Sequence, residues 1–243
     1  MRTMAAISEL RARIAGIEGG GTRHAAIPFG LPAIDGHLPG GGLAGGALHE
    51  VAGSRELADD AAATMFLAGI LARVPGPVFW CLRWRDLFAP ALGHAGLDPD
   101  RVIHVEAGDD VHVLLAMEEC LRHPGLAGVV GEVGRLSLTA SRRLQLAAGE
   151  SGVPAFVFRR ASPVGQRADG GAAVTRWRIR AAPGEALDMP GLARPRWHVA
   201  LERARGAETH EWIVEACDAQ GRLALPAALV HRPAAADTAR AAA

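Results

Sequence analysis

The chain has 243 residues, of which 49% are apolar and 21% charged, and its formal net charge is zero. That composition is globular, which excludes a disordered chain and any whole-chain electrostatic pull toward DNA or membrane. All 26 basic residues are arginine, which excludes Schiff-base and pyridoxal chemistry and any nucleotidase built on a phosphate-loop lysine.

The first 25 residues read as an arm. Ile7, Leu10, Ile14 and Ile17 recur at helical spacing, so Met4 to Ile17 is expected as a short amphipathic helix, ended by Gly19, Gly20 and Gly21. Such a stripe either packs on its own domain or docks on a partner. As a docking helix its anchors are Ile7, Leu10 and Ile14.

From residue 26 to 217 the pattern alternates between strands and helices. Strands are expected at Ala47–Val51, Pro77–Leu82, Val102–Val105, Gly128–Val133 and Pro154–Phe158. Helices are expected at Leu57–Arg73, Asp86–Ala95, Asp109–Arg122 with Asp109 as N-cap, and Leu138–Glu150 closed by Gly152. Short apolar strands separated by helices imply an α/β fold with a mainly parallel sheet covered on both faces. After Arg159 the rhythm changes. Val174–Arg180 alternates as a strand, and Trp197–Arg203 with Glu211–Ala216 read as a hairpin around Gly206, an antiparallel extension of the sheet. Residues 218–243 form a last segment ending in an Ala-rich, loose tail.

No membrane segment is expected. The longest apolar run, Ala61 to Ala72, ends at Arg73 and is shorter than the roughly 18–20 residues a span needs. No secretory signal is expected, since the N-terminus lacks a long apolar stretch. Cys81, Cys120 and Cys217 stand far apart, which suits reduced thiols in a cytoplasm. Beneath the neutral total, Asp98 to Glu119 holds seven acids and one arginine, and Arg159 to Arg205 holds ten arginines and four acids. The second block is either a basic surface or an ordinary solvated strand face with alternating arginines.

The segment Ala47 to Asp60 has the strand–loop–helix order of a phosphate-binding loop. If Gly53 is the first glycine of GxxxxGK[ST], then Ala58 takes the place of the second glycine, Asp59 the lysine and Asp60 the metal-binding hydroxyl. The two acids suit a helix N-terminus but repel a triphosphate, at about 4 kcal/mol per like-charge pair 4 Å apart in an effective dielectric near 20. Gly40 to Gly45 satisfies GxGxxG but precedes a strand, so it is a connector rather than a dinucleotide site. Glu132 ends a strand that resembles a Walker B strand. His198 and His210 are placed to face each other across the C-terminal hairpin. No zinc site and no nucleophilic serine are expected.

The run from Phe29 to Asp35, followed by Pro39 to Gly53, resembles the lead-in to a RecA-type core, as does the Gly-Leu-Asp-Pro-Asp-Arg turn at 96–101. Within RecA-like proteins, Trp84 to Pro90 and Ser141 to Ala148 resemble the ImuA family. The resemblance spans roughly Ile27 to Cys217 and implies a RecA-like fold. It places Trp84 where active RecA proteins carry the catalytic glutamate. It therefore implies no enzyme activity and no cofactor. The family implies an SOS-induced, cytoplasmic accessory protein of DNA repair and translesion mutagenesis, associated with RecA, with ImuB and with an error-prone replicative-type polymerase. The second DNA-facing loop of RecA proteins falls on 159–173, with Arg159, Arg160 and Arg167 placed for single-stranded DNA or a protein partner; Arg142 and Arg143 are further candidates. Self-association into a homo-oligomer is compatible with this family. Two other readings stay open: a SulA-type cell-division inhibitor that binds a tubulin-like filament protein, and a nucleotide-dependent RecA-like ATPase that uses Arg55 as its phosphate clamp.

Overall fold

A computed structural model of the protein describes residues 24–160, 171–184 and 193–226. Its centre is an eight-stranded sheet in the order β3-β2-β4-β5-β1-β6-β7-β8. In chain order the elements are α1 (Pro32–Asp35), β1 (Leu48–Ala52), α2 (Leu57–Ala72), β2 (Val78–Leu82), α3 (Ala89–Leu92), β3 (Val102–Glu106), α4 (Asp110–Cys120), β4 (Gly128–Val133), α5 (Leu138–Ser151), β5 (Ala155–Arg159), β6 (Thr175–Ala182), β7 (Arg196–Ala204) and β8 (His210–Glu215). Strands β3 through β6 in sheet order are parallel. β7 turns back antiparallel on β6, and β8 on β7. This is the α/β architecture with an antiparallel extension that the sequence pattern implies.

The central strands are buried on both faces, which is why they read as continuous apolar runs rather than as alternation. Strand parity divides their side chains. Val51, Trp80, Val130, Phe156 and Trp177 pack beneath α2, together with its Phe66 and Leu67. Leu48, Cys81, Val129 and Val157 pack beneath α4 and α5, against Val113, Met117 and Leu144. Each fully buried large side chain contributes about 1.5–3 kcal/mol. At Gly131 on β4 a Cβ would lie 2.0 Å from the Met117 sulfur, so the glycine lets α4 sit close on the sheet.

The helix ends follow local chemistry. The Asp109 carboxylate accepts the His112 N–H at the start of α4, and Ser137 accepts Ala140 N–H at the start of α5. Gly152, at φ 79°, closes α5. The helix expected over Asp86–Ala95 is a correction. Only Ala89–Leu92 is α-helical, followed by a 3-10 turn at Gly93–Ala95. Asp86 is drawn out of it as an ion-pair partner of Arg160, and Pro90 at the second helical position suits a helix start.

The described part of the last segment, residues 218–226, is packed on the domain. Asp218 accepts Gln220 and Arg222 N–H groups, and Leu223 is buried. Among the described residues no helix is long and apolar enough to cross a membrane.

Candidate functional site

In a parallel sheet the loops after the strands gather at one rim, where ligands of such folds bind. Here that rim carries Gly53–Glu56 after β1, Arg83–Phe88 after β2, Gly134–Ser137 after β4 and Arg160 after β5.

The first of these is the degenerate phosphate loop. β1 ends at Ala52 and α2 begins at Leu57, so four residues join them and the second half of the phosphate-loop motif falls within the helix. Ala58, Asp59 and Asp60 therefore stand in the first turn of α2. Both carboxylates are buried. β6 runs on past the last pairing of β1, Ala52 with Arg178. The N–H of Ala181 is thereby left open toward α2, and the Asp59 carboxylate accepts it at 2.7 Å. Asp60 is packed on Gly53, where a Cβ would lie 2.2 Å from its Oδ1. The Gly53 carbonyl is itself taken by Arg178, which donates Nη1 at 2.9 Å and holds Glu202 through Nε at 2.5 Å. Side chains of the chain itself occupy the loop that would cradle phosphates.

The second feature is an ion-pair cluster above β4. Glu132 is buried, accepting the Trp80 indole N–H at 2.7 Å on Oε1 and Arg160 Nη1 at 3.0 Å on Oε2. Arg160 also donates to Asp86 at 2.7 Å. Burial pushes the Glu132 carboxyl above the usual range, with Arg160 and the Trp80 bond opposing that rise. Burial also works against the Arg160 charge, but Glu132, Asp86 and Asp60 outweigh it and raise its basicity. The acid that would sit near a metal is thus neutralised by a guanidinium, with both oxygens hydrogen-bonded. Among the described residues no three His, Cys, Asp or Glu side chains converge as metal ligands. These residues do not fit a magnesium-bound triphosphate.

Trp84 lies in the turn after β2, 57% exposed, with the Arg83 guanidinium 5.1 Å from its ring centroid. Phe88 and Leu57 are exposed on the same rim. Arg159 ends β5 and its Nε is buried without a hydrogen-bond partner. Arg142 and Arg143 lie on α5, apart from that strand end, and Arg143 pairs with Glu118 of α4 at 2.5 Å. Arg167 and the stripe Ile7, Leu10 and Ile14 lie outside the described residues.

The C-terminal strand arginines are not all surface charge. Arg176 clamps buried Glu50 through two bonds, at 3.0 and 3.2 Å, and Arg178 is buried. The paired histidines are also corrected. In the β7–β8 register His198 opposes Ile213 and His210 opposes Leu201, so His198 bonds Glu211 instead, at 2.9 Å.

Sequence reasoning missed Trp80, Asp86 and Arg178 because their partners lie far along the chain. It also missed what Ser141 and Gln145 do in the α5 motif. Buried Ser141 accepts Ala172 N–H at 2.7 Å, and Gln145 accepts Leu48 N–H at 3.0 Å. Polar residues inside an apolar helical stripe were the available signal.

No family model matches the chain. The chain is 42% identical over 207 residues to Protein ImuA of Caulobacter vibrioides, in strains NA1000 / CB15N and ATCC 19089 / CIP 103742 / CB 15. That match covers 79% of this chain and 84% of the relative. Among solved structures, the crystal structure of the RadB recombinase matches with TM-score 0.54 and 17% identity, over 82% of this chain and 99% of that one. That likeness shows a RecA-like α/β fold.

Proposed function

The chain belongs to the ImuA family, and on that premise we propose that it is a non-catalytic RecA-like adaptor in DNA-damage-induced mutagenesis. In this reading it bridges RecA or damaged DNA to ImuB and an error-prone replicative-type polymerase during translesion synthesis in the cytoplasm. The observation that carries it is the self-filled nucleotide site. Asp59 is spent on Ala181 and Glu132 on Trp80 and Arg160, so the scaffold recognises partners without turning over ATP. Arg55, the cation left for a relocated phosphate clamp, stands between Ser54 and Glu56 and close in sequence to Asp59 and Asp60. That setting favours no triphosphate.

Two measurements test the reading together. Equilibrium titration with ATP and magnesium is expected to give no binding in the micromolar range; micromolar binding or steady phosphate release would make the protein an ATPase. Pairwise binding to RecA and to ImuB, with and without single-stranded DNA across a salt series, is expected to show direct association. A salt slope that steepens only when DNA is present assigns phosphate contact to the arginines at 159–167. Loss of all pairwise association would remove the adaptor role.

A further inference from the structure

On the face opposite α2, the helices α4 and α5 lie side by side and leave a long groove between them. At one end is a cavity of about 510 Å³, lined by Leu121, Pro124, Leu146, Ala147 and Glu150. At the other is a recess of about 170 Å³, lined by Val111, Leu114, Leu115 and Leu144. Glu118 and Arg143 line both, so the two recesses adjoin on one seam, with the Glu118–Arg143 ion pair between them. Val111, Leu115 and Leu146 are 64%, 47% and 66% exposed along it. Three exposed aliphatic side chains along one helix–helix seam mark an interaction surface.

The described chain begins at the same end of α5, on the flank of the helix turned toward β1. His24 is the first described residue, and its Nε2 bonds the Gly149 carbonyl of α5 at 3.0 Å. Its ring is held in a cradle of glycines. A Cβ would lie 2.2 Å from the ring at Gly46 and 2.8 Å from it at Gly152. His24 thus lies at the same helix end as Leu146, Ala147 and Glu150.

We propose that the groove between α4 and α5 is the seat of this chain's own N-terminal segment, residues 4–17, docked in cis. Lengths agree. Fourteen helical residues from Met4 to Ile17 span about 21 Å, and α5 has 14 residues. The Gly-rich connection Glu18–Arg23 can extend to about 20 Å, enough to turn the segment back along α5 with Ile17 at the Glu150 end. Ile7 and Leu10 then meet Val111 and Leu115, and Ile14 meets Leu146. Charge agrees as well. Arg11 and Arg13 flank the apolar stripe on its two sides. Across the groove Arg143 of α5 is paired with Glu118 of α4, and at its edge Arg122 with Glu119, whereas Glu150 has no ion-pair partner among the described residues. Arg13 is the complement for Glu150. Tethering favours the same chain over a second copy, because a short flexible connection gives an effective concentration in the millimolar range. A partner that takes this groove must first displace the arm. This inference is independent of the adaptor role.

Hydrogen exchange on the full-length chain, with sedimentation velocity in parallel, tests it. In the wild type, residues 4–17 are expected to be protected in a monomer, independent of concentration. Leu10→Asp and, separately, Leu146→Asp are each expected to cut that protection by at least about tenfold, the loss for one large apolar anchor, while sheet amides keep theirs. Arg13→Glu is expected to weaken it and Glu150→Arg in the same chain to restore it, a rescue that a mere folding defect cannot produce. Exchange of residues 4–17 at unprotected rates in the wild type overturns the proposal, as does protection unaffected by Leu146→Asp. Protection that grows with concentration and follows a dimer broken by Leu10→Asp also overturns it, and gives the groove to a second copy.

Discussion

Arg160→Ala probes the buried acid of β4, Glu132, and the guanidinium that balances it. The guanidinium sits 3.0 Å from Glu132, whose side chain is 6% exposed, while Arg160 itself is 30% exposed. At that distance and an effective dielectric near 20 the attraction is about 5.5 kcal/mol. Solvent screening at the half-open arginine and the cost of burying both charges reduce the net loss to about 2–3 kcal/mol. The loss depends on pH in a definite direction. Glu132 already titrates above its unfolded value because of burial, and removing Arg160 raises it further. A carboxyl whose folded pKa is raised favours the folded state below the unfolded pKa and loses that advantage as pH rises through the folded value. The penalty of Arg160→Ala is therefore smallest below about pH 4.5 and full at pH 8. Glu132→Gln keeps an acceptor for the Trp80 indole and removes the charge, so in that background Arg160→Ala is expected to cost about 1 kcal/mol or less. Urea unfolding followed by tryptophan fluorescence at pH 5 and pH 8 reads all four corners of the cycle. Equal costs of Arg160→Ala with Glu132 and with Gln at that position, or a cost independent of pH, would refute the reasoning.

His49 gives a second pH signature. The Trp177 indole donates to Thr175 Oγ1, and that hydroxyl in turn donates to His49 Nδ1, while Nε2–H donates to the Ala44 carbonyl. Burial holds the ring down to about 4 from 6.5, with the Ala44 bond opposing. Stability from the neutral ring is complete above about pH 6.5 and is lost as pH falls toward 4, on the order of 3 kcal/mol. Chemical denaturation across that window is expected to fall more steeply for the wild type than for His49→Gln, and parallel curves would sink the assignment. Gly53→Ala is expected to destabilise by about 1–3 kcal/mol through overpacking, since its Cβ would meet Asp60 Oδ1 at 2.2 Å and its backbone N at 2.8 Å. Gly93→Ala is the control, with nothing within 4 Å of its Cβ. Thermal melts that show the two variants shifted alike would remove the idea that Asp60 fills the loop.

Local signals were legible wherever the cause was local. Ser137 and Gly152 bound α5 because a hydroxyl cap and a left-handed glycine act within one helical turn. The β4 range, Gly128–Val133, follows from a run of small and branched residues buried on both faces. The hairpin partners were legible too, but their register was not. The length of the β7–β8 loop sets which side chains oppose in the hairpin, a shift between Arg176 and Trp177 sets how β7 pairs with β6, and neither leaves a periodic trace.

The absence of lysine and the acids at 59 and 60 determined, before any fold was seen, that this chain lacks the chemistry of a phosphate loop. Only the tertiary structure decided what replaced it. Asp59 meets Ala181 across 122 positions, Trp80 meets Glu132 across 52, and Arg160 meets Glu132 across 28. Such pairings arise when parallel strands bring distant segments to one rim and a buried carboxylate must find a donor there. A one-dimensional pattern shows that the charge is present; which donor satisfies it is fixed by the order of the strands.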